Sequence, residues 1–266
     1  MNRTVGAQLD VTVQATSELE MQVAVARVPG IEVDERLTVT LDGAPLAVRE
    51  VATPHGGRMH LVDAEAGRLE VRYEATVTGR GDAPEPAGDD LSVYRRPSRY
   101  AASDTLGGFA VKQFGPVSDA DLLTAVSSWV GTRLDYVPGS SGPTDGATDT
   151  LLAGAGVCRD YTHLVVALLR SLGVPARLVA VYAPGCDPMD FHAVAEAYLG
   201  GGWYAVDATA LAPRSTLVRI ATGRDAADTA FLTNNGGAIV LDRSVVTAVA
   251  EDGLPDDDLD ELVTLG

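Results

Sequence analysis

Two hydrophobic periods divide this chain, and they do not overlap. Up to about residue 80, apolar side chains recur at every second position in Leu9-Asp10-Val11-Thr12-Val13-Gln14, Met21 to Val25, Leu37 to Leu41 and Leu69 to Ala75. A period of two puts alternate side chains on opposite faces, the pattern of half-buried strands. Asp42-Gly43 between two such runs signals a hairpin, with Pro45 on the edge of the next strand. About six short strands with turn punctuation predict a small antiparallel sandwich over 1–80. Past residue 116 the period turns helical: Ser118-Asp119 caps a run with Leu122, Leu123, Val126, Trp129 and Val130 on one face, ended by Gly131.

Between the two regimes, Gly79 to Asp90 is rich in Gly, Pro and Asp and reads as an interdomain linker within 81–115. A second unit over 116–250 then follows, and an acidic tail, 251–266, is expected to be frayed. Residues 138–146 read as a loop. A second helix runs from Cys158 to Leu172, where Gly173 and Pro175 stop it. Strands are expected at Ala176–Tyr182, Phe191–Leu199, Trp203–Val206, Thr216–Ile220 and Ala238–Leu241.

Composition narrows the function classes. Lys and Arg total 20 against 37 Asp and Glu, a net charge of −17, and Lys112 is the single lysine. Phosphate contacts need a concentrated basic surface, so neither nucleic acid nor an anionic membrane is an expected partner. The charge would instead draw cationic peptides or amines. Cys158 and Cys186 cannot build a disulfide framework, and no Cys/His spacing reads as a zinc site. Arg3 is not followed by an apolar run, so no signal peptide is expected, and a reduced, cytoplasmic setting follows.

The chemistry concentrates in Gly154-Ala155-Gly156-Val157-Cys158-Arg159-Asp160-Tyr161. A cysteine in the first turn of a helix meets unpaired backbone N–H groups and the positive end of the macrodipole, which favour a thiolate. The same residue type in an apolar context is equally a core residue. Acyl transfer also needs an imidazole and a group to orient it. His55 and His60 lie in the sandwich, where exposure is expected. His163 is about 140° round the helix from Cys158 and reads as a structural hydrogen-bonder. His192 begins a strand. If Gly200-Gly201 is a two-residue turn, Val194 faces Asp207, which then lies diagonally across from His192 at about 7–8 Å between backbones. Glu196 shares that face about 13 Å along and is the poorer orienter. Cys186, Asp187, Asp190 and His192 are close in sequence but read as a loop rather than a metal site. Asp160 reads as a structural complement to the helix dipole.

Gly156-Val157-Cys158-Arg159-Asp160-Tyr161-Thr162-His163-Leu164, Leu172-Gly173-Val174-Pro175-Ala176-Arg177, Asp190-Phe191-His192-Ala193 and Trp203-Tyr204-Ala205-Val206-Asp207-Ala208-Thr209 resemble, in that order, the bacterial transglutaminase-like superfamily. Arg96 to Tyr100 and the strand-rich N-terminus resemble members with an N-terminal β domain. The resemblance implies an α+β fold, a papain-like core whose nucleophile helix packs on an antiparallel sheet, preceded by the β-sandwich. It implies Cys158 as nucleophile, His192 as base and Asp207 as orienting acid, with no cofactor and no metal. The activity implied is acyl transfer on a peptide or protein amide, ending in hydrolysis or in transfer to a primary amine. Tyr136, Trp129 and Tyr161 are candidate substrate contacts. Relatives often carry Trp where this chain has Val194, and Asn or Arg where it has Ala210. A non-catalytic scaffold retaining the fold is the alternative, and the sequence leaves the oligomeric state open.

Overall fold

The computed structural model describes residues 1–82, 85–117 and 119–265. Seven strands open the chain: β1 (Asn2–Val13), β2 (Ser17–Met21), β3 (Ile31–Leu41), β4 (Ala44–Pro45), β5 (Arg49–Ala52), β6 (Arg58–Ala64) and β7 (Gly67–Gly79). The Asp42-Gly43 turn joins β3 to β4, both residues in the left-handed region (φ 50° and 81°), as a tight hairpin requires. Helices follow: α1 (Asp90–Val93), α2 (Ser103–Phe114) and α3 (Asp119–Arg133). The expected cap at Ser118 lies outside the described residues, as do Ala83 and Pro84 of the expected linker. Next come β8 (Asp135–Tyr136), α4 (Ala147–Ala153), β9 (Ala155–Gly156), α5 (Cys158–Ser171), β10 (Ala176–Tyr182), β11 (His192–Leu199), β12 (Gly202–Val206) and β13 (Val218–Gly223). A short α6 (Ala226–Thr229) leads into β14 (Leu232–Gly236) and β15 (Ile239–Ala250).

The sandwich is built from both ends of the chain. One sheet has the order β15-β1-β7-β3-β4 and the other β14-β2-β6-β5. Leu9, Val11, Leu69 and Val71 of the first meet Leu19, Met21 and Val62 of the second in one apolar core. β15 runs antiparallel to β1 from Arg3 opposite Ala250 to Val13 opposite Ile239. The boundaries read from sequence therefore shift. Residues 232–250 complete the N-terminal sheets instead of ending the second unit.

The second layer is an antiparallel sheet, β12-β11-β10-β13, with α5 against one face. Leu164, Val165 and Leu168 of α5 pack with Ala195 and Ala197 of β11 and with α2 and α3. Three expectations give way here. The segment 81–115 is not only linker, because α2 buries Leu106, Ala110 and Phe114 in this core. Gly131 does not end its helix; α3 runs on to Arg133, and a Cβ at Gly131 would stand 2.5 Å from the Ala208 carbonyl oxygen. The glycine permits close approach of the helix to the chain after β12. The acidic tail is docked rather than frayed: Asp257 accepts from the buried Arg214 side chain at 3.0 Å, the Ala205 N–H donates to the Val263 carbonyl at 2.7 Å, and Leu265 is buried. Among the described residues, no helix is long and apolar enough to cross a membrane.

Candidate active site

The approach to Cys158 is fixed by its neighbours. Gly154, at φ 68°, closes α4 in the left-handed conformation. A two-residue parallel bridge then pairs Asp135 with Ala155 and Tyr136 with Gly156. A Cβ at Gly156 would meet the Cβ of Asp160 at 2.6 Å, so only glycine leaves room for that side chain. The Asp160 carboxylate uses the space to accept from the Val157 N–H at 2.8 Å and from the Ser141 hydroxyl, and Arg159 lies 3.5 Å away. This caps the start of α5 and leaves Cys158 as its first residue.

The β11–β12 hairpin supplies the other two groups. Gly200 and Gly201 have φ of 57° and 101° and form the two-residue turn. Leu199 pairs with Gly202 and Ala195 with Val206, so one more step along each strand brings Val194 and Asp207 opposite. His192 Nε2 lies 3.0 Å from Asp207 Oδ2. The other carboxylate oxygen accepts from the Thr209 N–H at 2.9 Å and the Thr209 hydroxyl at 2.7 Å. Ser127 of α3 donates to the Asp207 carbonyl at 3.3 Å. Burial works against charge on both groups. The negative charge of Asp207 and its hydrogen bond, joined by Cys158, nevertheless hold the His192 ring well above the ordinary histidine range. In return, His192 and Thr209 hold the Asp207 carboxyl below its ordinary value.

Cys158 and His192 line one cavity of about 470 Å3. With Nε2 engaged by Asp207, Nδ1 is the nitrogen left for the sulfur. Cys158 Sγ also lies 3.9 Å from the Phe191 carbonyl oxygen. Sequence reasoning missed most of the cavity walls: Gln22, Leu178, Ile220 and Phe231 come from distant parts of the chain and carry no local motif.

The three candidate substrate contacts separate. Tyr136 does not line the cavity; burial, with Cys158 nearby, pushes its phenol up, while the Cys158 backbone N–H acts in the opposite sense. Tyr161 is buried and donates to the Leu134 carbonyl at 2.6 Å, a core role. Trp129 packs edge-on against Phe109 and Phe114 and does not line the cavity. His163 accepts from the Ala226 N–H at 3.1 Å and stacks on Tyr100. His55 and His60 have buried side chains, not exposed ones, because Tyr94 and Asp90 engage the first and Glu50 the second. Cys186 is buried, 3.5 Å from the Pro188 carbonyl oxygen, and its thiol is pushed up by burial. Among the described residues, no cluster of three or more His, Cys, Asp or Glu is placed to hold a metal.

Comparison with known proteins places this geometry. The model of the transglutaminase-like superfamily matches residues 110–208. A crystal structure described as that of a candidate cysteine protease from Cytophaga hutchinsonii is 32% identical, with a TM-score of 0.90 over 98% of this chain and 96% of that one. An uncharacterised protein of Mycobacterium leprae is 32% identical over 118 residues, 41% of this chain and 42% of that protein. One of Mycobacterium tuberculosis H37Rv is 32% identical over 93 residues, 33% of this chain and 30% of that protein. The match thus spans less than half the length of these two curated relatives, and nearly all of the crystallised one. These likenesses support a cysteine-dependent activity in general. With the full-length match in sequence and fold, the chain belongs to the transglutaminase-like superfamily.

Proposed function

We propose that the protein is a cysteine-dependent acyl-transfer enzyme acting on amide bonds of peptides or proteins through a thioacyl-enzyme. One observation carries the reading: Cys158 at the start of α5 shares a cavity with His192, whose ring is hydrogen-bonded by the buried Asp207. His192 takes the thiol proton, and Asp207 stabilises the imidazolium and fixes its orientation. The sulfur attacks the amide carbonyl, forming the S–C bond, while the Cys158 N–H donates to the developing oxyanion. Expulsion of the amine breaks the C–N bond, and His192 returns the proton to the leaving nitrogen. Water attack on the thioacyl carbon gives hydrolysis; a primary amine gives transamidation. Both share the first half-reaction.

The reading is tested on the thiol. Iodoacetamide should alkylate Cys158 rapidly at pH 6, and His192→Ala should slow it; an ordinary rate, unchanged by His192→Ala, would remove the activated thiolate. A Cys158→Ala protein that kept every measured activity would instead support a scaffold. Mass spectrometry of a glutamine peptide, offered with and without a primary amine, separates the two outcomes. Cleavage or deamidation alone identifies a hydrolase, and an amine adduct identifies a transferase.

A further inference from the structure

The cavity at Cys158 and His192 extends well beyond the space their own reaction needs. Its volume is about 470 Å3. Its inner wall is apolar: Leu178 and Ile220 come from the catalytic sheet, Phe191 from the approach to β11, and Phe231 and Leu232 from the segment returning to the sandwich. Phe191 and Phe231 stack with centroids 4.7 Å apart and planes 17° from parallel, so this wall is already formed. Among the polar groups of the lining, Asp190 is exposed and accepts from the Phe191 N–H at 2.8 Å, while Gln22 and Thr229 are engaged by the protein. Gln22 donates its amide nitrogen to the Asp228 and Ala230 carbonyls at 3.0 and 3.5 Å, and the Thr229 hydroxyl donates to Asp225. Arg159, which also lines the cavity, donates to Ser141 and Gly142 through one terminal nitrogen, and its buried Nε has no partner among the described residues. Against the wall of Leu178, Ile220, Phe231 and Leu232 a charged or amide-bearing side chain would give up water with little in return, whereas an aliphatic or aromatic one loses nothing polar.

Two halves of a substrate compete for this space. After the first step of acyl transfer the amine half departs, and the acyl half stays on sulfur. A walled apolar pocket suits the half that is retained. The departing half needs an open route. We propose that the cavity selects the acyl half by accepting a bulky apolar side chain, of leucine to phenylalanine size, carried within one or two residues of the carbonyl that Cys158 attacks. This inference rests on the acyl-transfer reading above and names its substrate class.

The test is a series of fluorogenic peptide amides bearing Gly, Gln, Leu or Phe at each of the two residues before the scissile amide, repeated with different leaving amines. Leu or Phe at one position should raise kcat/KM at least about tenfold over Gly and Gln, with smaller changes across the amines. Ala230→Phe, which puts a ring into the cavity, should collapse the Leu-to-Gly ratio; its thermal midpoint reports whether it is folded. Phe231→Ala opens the same wall and should move the optimum toward larger aromatic side chains. Intact-mass detection of the thioacyl-enzyme separates two kinds of failure. Acyl-enzyme formed equally from all four side chains, or a preference set by the leaving amine, overturns the cavity assignment and leaves acyl transfer standing. No acyl-enzyme from any substrate, with Cys158 alkylated no faster than in His192→Ala, overturns the acyl-transfer reading and this inference with it.

Discussion

Two carboxylates are buried on the same side of the β11–β12 hairpin, and they serve opposite ends. Glu196 accepts from Arg177 at 2.7 Å and from Arg219 at 2.6 and 3.0 Å, and the Arg177 guanidinium lies 3.9 Å from the centre of the Trp203 ring. Its partners are two buried guanidinium groups, and aromatic rings close the cluster. Asp207 is as deeply buried and as fully hydrogen-bonded, yet its partner is a histidine that fronts a cavity and a thiol. Burial of charge alone therefore does not mark a site. A titratable partner with one nitrogen left to face solvent-accessible space does.

The comparison can be broken at either carboxylate. Asp207→Asn should produce the largest change: kcat/KM on a cleaved amide falls by roughly 10²–10⁴, while the urea midpoint moves little. Its alkaline limb should also shift to lower pH, since Asp207 is what holds the His192 proton. A variant that unfolds instead would make Asp207 structural, like Glu196. Glu196→Gln should do the reverse. It strands two buried guanidinium groups and should cost about 3–5 kcal/mol in denaturant unfolding, leaving the rate of Cys158 alkylation per folded molecule close to normal.

Acid and alkali then sharpen the contrast. Glu196 is held down to about 2, against an ordinary 4.5, by Arg219 and Arg177 overcoming its burial. Its stabilisation is complete above about pH 4.5 and is lost as pH falls toward 2. The loss is on the order of 3 kcal/mol, and it should vanish from the pH–stability curve of Glu196→Gln. His192 is raised, so its contribution is complete below its unfolded value near 6.5 and is lost as pH rises through the folded value. Equal slopes in wild type and Glu196→Gln between pH 4.5 and 2 would contradict the first assignment. The smallest effect concerns the loop after Asp207, where Ala210 sits at φ 51°. Ala210→Gly should stabilise by about 0.5–1 kcal/mol if that conformation carries strain, and calorimetry can resolve it. Asn tolerates the same backbone angle.

Much of the site was written in short-range signals. The glycine pair at 200–201 set the hairpin register and with it the diagonal between His192 and Asp207, and Gly173 with Pro175 marked the end of α5 to within a residue. What local pattern could not supply was long-range. Gly107 and Gly108 interrupt the exposed side of α2, so its apolar stripe was lost in a segment read as linker. The tail looked solvated because its acidic residues outnumber Leu262, Val263 and Leu265, and only the buried Arg214 explains why Asp257 is held. The cavity draws on positions as far apart as Gln22 and Phe231, which no window of sequence brings together.

The pairing of β15 with β1 has a consequence for synthesis. A ribosome releases the first sandwich strands long before residues 232–250 exist, so β1 must wait with one edge unpaired while the second sheet and its helices are made. The domain begun first is closed last. Chains stopped near residue 230 would carry Cys158, His192 and Asp207 yet expose the edges of β1 and β2, and aggregation of such fragments would precede any test of their chemistry.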